Sequence, residues 1–160
     1  MAETPIIMHE QQFQKIKSVL ARLFHETAAR MVFLVDRDGQ PIASHGDVRE
    51  FDATSFASLA AGNVAATSSM AQLIGEQTFP TLSHEGERES IYICVVGRCL
   101  LCVVFDERST LGLVKLRVKR AFPELLAIMN ELAQKTEENR RLENALFAEI
   151  TDEDIDSLFS

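Results

Sequence analysis

From Thr54 to Gly75 the chain carries no charged residue, and this stretch constrains the fold more than any other. Ala, Ser, Thr, Gly and Asn dominate it, interspersed with Phe56, Leu59, Val64, Met70, Leu73 and Ile74. The small polar residues are spread too evenly for a membrane span, which needs about 20 mainly apolar residues. Asp52 or Thr54 can cap such a segment and Gly75 can end it, so a long helix is predicted. Helices on soluble proteins usually solvate a charged outer face. A smooth, uncharged exterior of small residues instead lets another backbone come close. A surface for binding proteins is expected here, rather than a catalytic pocket.

At about 100° per residue the helix divides into three arcs. Phe56, Leu59, Asn63, Ala66, Met70, Leu73 and Ile74 form the arc expected to face the core. Ala57, Ala60, Val64 and Ala71 form a second, suited to packing against a second copy about a two-fold axis. Ala61, Ala65, Ser68, Ser69 and Gln72 form a third, left for a different partner.

The rest of the chain supplies the frame. Phe13, Ile16, Val19, Leu20, Leu23 and Phe24 recur at helical spacing and predict a helix over 9–28. Met31 to Val35 reads as a buried strand, Asp36-Arg-Asp-Gly39 as a tight turn, and Gln40 to His45 as a returning strand. Pro41 cannot donate to a ladder and marks that second strand as an edge. Three strands follow, over 79–85, 89–96 and 99–106, the last two joined by Gly97-Arg98. A final helix is predicted over 110–135, with Pro123 kinking it. The order α-β-β-α-β-β-β-α describes an α+β sandwich built on a five-stranded antiparallel sheet.

Charge is placed unevenly. The whole chain has a formal net charge of −8. Residues 136–160 hold eight acids against Arg140 and Arg141, which leaves only −2 for residues 1–135. Neither part has the basic surface that nucleic-acid contact needs. Three parts are expected: a domain over 1–135, a polar stretch over 136–146 that is either a linker or a solvated extension of the last helix, and an acidic amphipathic segment over 147–160. In that segment Phe147, Ile150, Ile155, Leu158 and Phe159 alternate with acids, and Thr151 with Asp154 resembles a capping box. So short a helix is unstable alone in water and is expected to fold against a groove.

No phosphate loop, nucleophile elbow, HExxH or dinucleotide fingerprint is present in the sequence. Cys99-Leu-Leu-Cys102 has CxxC spacing, but strand positions three apart point to opposite faces. Cys94, Cys99 and Cys102 are therefore read as core thiols in a reducing cytoplasm, and neither a metal nor a cofactor is expected. Lys115, Arg117, Lys119 and Arg120 are read as a solvated basic face, with contact to an acidic partner or to the chain's own tail as the alternative. No signal peptide opens the chain and no apolar run suffices for membrane insertion, so a cytoplasmic protein is expected. A small-molecule sensor on a similar sheet is the rival from another class, and it would need a ligand cavity.

In Phe33 to Gly39, Ser55 to Ala66, Gln72 to Glu76, His84 to Gly86, Phe105 to Arg117 and the ending Phe147 to Phe159, the chain resembles bacterial members of the roadblock/LC7 family. The resemblance implies the same element order and a homodimer that pairs its second helices and joins edge strands. It implies a GTPase-activating protein for a small Ras-like GTPase in its GTP-bound state, governing polarity and gliding motility in motile cells, with enrichment at a cell pole. Such a regulator has no catalytic chemistry of its own and inserts no arginine finger; it positions loops whose arginine and glutamine belong to the GTPase. A scaffold that only recruits the GTPase or polarity proteins is the alternative. Carried onto this chain, the GTPase-facing small pair falls on Ala65 and Ser69, with Ser69 standing where the family pattern has Gly. The C-terminal segment that docks on the GTPase away from its nucleotide falls on Phe147, Ile150, Ile155, Leu158 and Phe159. Pro123 in the last helix departs from the family pattern.

Overall fold

Strands β1 (Met31–Asp36) and β5 (Cys99–Asp106) are apolar and buried along nearly their whole length, so both faces of the sheet must be covered. The computed structural model, which describes residues 9–49 and 51–148, covers them with three helices. Helix α1 (Glu10–Thr27) precedes β1; β2 (Pro41–Gly46) leads to α2 (Ala53–Leu73); β3 (Thr81–Glu85) and β4 (Glu89–Val96) precede β5; and α3 (Leu111–Ala148) ends the described chain. All neighbouring strands are antiparallel, in the order β2-β1-β5-β4-β3, which puts Pro41 on an edge strand as predicted.

Alternation along each strand separates two cores. Val32, Leu34, Tyr92, Cys94, Leu101, Val103 and Phe105 point to the face covered by α1 and α3. There they meet Ile16, Val19, Leu20 and Leu23 of α1 and Val114, Val118, Leu125 and Leu132 of α3. Met31, Phe33, Val35, Ile93, Leu100, Cys102 and Val104 point the other way, toward α2.

Short turns set the register. Val96 pairs with Cys99, which leaves Gly97-Arg98 as the two-residue hairpin loop the sequence predicted. At the β1–β2 turn, the Gly39 amide donates to the Asp36 carbonyl at 2.9 Å and Asp36 Oδ1 accepts from the Asp38 amide at 2.9 Å. The pairing shifts between Leu34 and Val35, a bulge that tilts this turn. Gly39 has φ of 89°, and a Cβ there would stand 3.2 Å from Ser58 Cα, so only glycine lets the turn rest on α2.

The last helix is longer than expected. Pro123 lies inside α3 on its exposed side, and the helix continues on both sides of it. Residues 136–146 are helical and belong to the same 38-residue element, so the solvated extension holds and the linker does not. Of the acidic segment, only Phe147 and Ala148 fall within the described residues.

Candidate partner-binding face

Helix α2 is defined by its ends. Asp52 Oδ1 accepts from the Ser55 amide at 3.0 Å and Oδ2 from the Ser55 hydroxyl at 2.6 Å, a cap on the first turn. Those bonds, the hydroxyl's foremost, hold the Asp52 carboxyl below its ordinary range. At the far end Gly75, at φ 86°, lets its own amide reach the Gln72 carbonyl and the Glu76 amide reach that of Ala71. This closing pair needs the left-handed residue that glycine supplies.

Which side of α2 faces the sheet overturns the predicted division into arcs. Ala57, Ala60, Val64 and Ala71, expected to meet a second copy, are 0–5% exposed, and the first three pack on the chain's own sheet. Of the arc expected in the core, Leu59 is 74% exposed, Met70 60%, Leu73 87% and Ile74 71%. Only Phe56 packs inward, against Phe33 and Phe51 at ring-centroid distances of 5.1 and 5.4 Å. The reason is volume. Phe33, Met31, Ile93 and Leu100 already fill the layer from the sheet side, so the helix must contribute small side chains to reach native packing density. The large residues are turned outward.

The third arc is placed closer to expectation. Ala65, Ser69 and Gln72 are exposed, whereas Ala61 and Ser68 are half-buried on the flank. Ala61 lies beside Gly39, and the Ser68 hydroxyl bonds the Thr78 hydroxyl at 2.7 Å. On the other flank the Asn63 amide meets the ring of His84 on β3 at 2.7 Å, which ties the helix to the sheet edge. The outer face of α2 thus combines Leu59, Ala65, Ala66, Ser69, Met70, Gln72 and Leu73, wholly uncharged and fixed on both sides. Sequence reasoning did not assign the large residues to it. The continuous apolar runs of β1 and β5 held the signal, because a sheet with bulky residues on both faces calls for a small-residue helix on one of them.

Phe147, 70% exposed, sits on α3, across the sheet from α2, so the structure does not bring it to this face. Ile150, Ile155, Leu158 and Phe159 lie outside the described residues.

Cys94, Cys99 and Cys102 are buried free thiols, and burial pushes them up to about 11, 12 and 12. Among the described residues no group of three or more His, Cys, Asp or Glu could hold a metal. No described helix is long and apolar enough to cross a membrane. Arg108 is held by both oxygens of Asp106 at 3.1 and 3.2 Å, a pairing that lowers the Asp106 carboxyl. An open cavity of about 790 Å³ lies below the start of α2, floored by Met31, Phe51, Phe56 and Ile91 and crossed by the Arg30–Glu89 ion pair.

Residues 15–105 match the Roadblock/LC7 domain. Among solved structures the chain is similar to Myxococcus xanthus MglB, at 50% identity and a TM-score of 0.75, over 79% of this chain and 96% of that one. It is similar to the gliding protein MglB of Thermus thermophilus at 36% identity and a TM-score of 0.76, over 81% and 99%. A structure described as MglB with tetrameric arrangement matches at 35% identity and a TM-score of 0.77, over 82% and 99%. No curated protein sequence matches significantly. With a family match over more than half of its length, and with solved relatives spanned almost end to end, the chain belongs to the Roadblock/LC7 family.

Proposed function

We propose that the protein is a homodimeric GTPase-activating protein for a small Ras-like GTPase of the MglA type, acting in cell polarity and gliding motility. The observation that carries this reading is the uncharged, exposed outer face of α2 in a chain 50% identical to an MglB. A close-packed contact made through Ala65, Ser69 and Gln72 suits the holding of partner loops in a reactive geometry, an effect of positioning rather than of donated catalytic groups. Arg108, engaged by Asp106, is not set aside as a finger.

The second copy is assigned to the apolar part of the same face, Leu59, Met70, Leu73 and Ile74, in place of Ala57, Ala60, Val64 and Ala71. Exposed apolar groups of this size mark association surfaces. The tetrameric arrangement of a related MglB supports self-association as a habit of such chains.

GTP turnover by the cognate GTPase, measured with this protein and with Ala65→Arg, is the test. Ala65 is exposed, so the variant folds, and its stimulation is expected to fall to the unstimulated rate. Stimulation equal to that of the unaltered protein removes Ala65 from the site. GTPase binding without any acceleration by the unaltered protein leaves only a recruiting scaffold.

A further inference from the structure

The face of the sheet carrying α1 and α3 is not fully covered. Between α3 and strands β3 and β4 a groove of about 350 Å³ is floored by Tyr92, Cys94, Val118 and Phe122. Lys115 and Lys119, one helical turn apart, form its rim, and no acidic residue lines it. Neither lysine makes an ion pair among the described residues. The basic cluster read from the sequence as one solvated face is therefore split. Arg117 and Arg120 turn toward Arg22 and Glu26 of α1, and the two lysines stand over the groove.

The chain itself contains a segment of the opposite character. Residues 149–160 hold Glu149, Asp152, Glu153, Asp154 and Asp156, no lysine or arginine, and the apolar Ile150, Ile155, Leu158 and Phe159. An apolar floor with a cationic rim complements an apolar stripe flanked by carboxylates. Reach decides whose segment it is. Phe122, the groove residue nearest the end of α3, is separated from Ala148 by about 39 Å of helix at roughly 1.5 Å per residue. Residues 149–160 reach about 40–43 Å only when drawn out fully, so at most their last residue arrives at the near edge. The apolar stripe from Ile150 to Phe159 therefore cannot lie in the groove of its own chain.

We propose that the groove over Tyr92 and Val118 receives the acidic C-terminal segment of a second copy of this chain. The proposal does not depend on the GTPase reading. A segment seated in this way is withheld from any other partner until the copy carrying it lets go.

The chain provides its own reporter. Tyr92 is its single tyrosine, it lines the groove, and there is no tryptophan. Full-length protein carrying both Phe159→Trp and Tyr92→Phe is co-expressed with full-length protein carrying neither change. In the mixed assembly, tryptophan emission sensitised by tyrosine excitation arises only when one copy's segment sits in the other's groove. Sensitised emission is expected, and it should vanish when Lys115→Glu and Lys119→Glu are placed on the Tyr92 copy. Adding Asp154→Lys and Asp156→Lys to the tryptophan copy should restore it. Absence of transfer in the mixed assembly overturns the proposal, whether the groove is empty or holds another protein. Transfer that survives the lysine reversals unchanged overturns it as well.

Discussion

The two faces of the sheet are packed by opposite rules. Under α1 and α3, long aliphatic side chains from helix and strand pack together: Ile16, Leu20, Leu23, Leu125 and Leu132 of the helices with Leu34 and Leu101 of the sheet. Under α2, the strands bring most of the bulk and the helix brings Ala57, Ala60 and Val64, with Phe56 as its one large inward residue. Burial under α1 and α3 consumes the large residues of the helices and so contributes most to stability. The α2 side keeps the helix close with small residues and leaves its large ones free for another molecule. One layer holds the domain together, and the other presents a surface.

By that contrast, truncation harms one face and enlargement the other. Leu125→Ala, at a fully buried site between α3 and the sheet, is expected to cost about 2–5 kcal/mol in denaturant unfolding. Ala60→Leu, on the buried side of α2, should lose about 1–3 kcal/mol through overpacking. A neutral Ala60→Leu would mean that the α2 layer has slack and that its alanines serve some other end. Ser69→Lys, on the outer side of the same helix, should change stability by less than about 0.5 kcal/mol while removing stimulation of GTP turnover.

The smallest effect is alkaline and touches both faces. Cys94 and Cys99 lie under α1 and α3, and Cys102 lies under α2. Their folded values stand above the ordinary 9.0, so the unfolded chain loses these protons first as pH rises. The stability they contribute is complete below about 9 and declines between 9 and about 12. Thermal melts from pH 8 to 10.5 should show this decline, and its slope should lessen when Cys102 is replaced by Ala. Thiol alkylation at pH 8 should be negligible before unfolding.

Most of the frame was legible because it rests on local signals. Pro41 marked an edge strand, Gly97-Arg98 a hairpin loop, and Asp52 and Gly75 the two ends of α2. The extent of α3 was not, because residues 136–146 are mostly polar and their helicity continues a helix already packed upstream. The facing of α2 was misread for a different reason. Assigning the core by size assumes that the helix supplies the volume, and here Phe33 and Leu100 supply it from the sheet. The exposure expected of Ala65 and Ser69 was untouched by that error, because both lie outside the two exchanged arcs. The groove beside β4 was invisible for lack of any sequence signal that α3 leaves a depression over the buried Tyr92 and Cys94.

The contact of Gly39 with Ser58 has a mechanical consequence. With no side chain on Gly39, the turn rests close against the helix backbone at Ser58. A load applied to the outer face of α2 should pass to the Asp36–Gln40 turn and through it to the edge strand β2. Docking at one surface should therefore stiffen a loop that the docked molecule never touches, and amide exchange at Asp38 and Gly39 is where that stiffening would register.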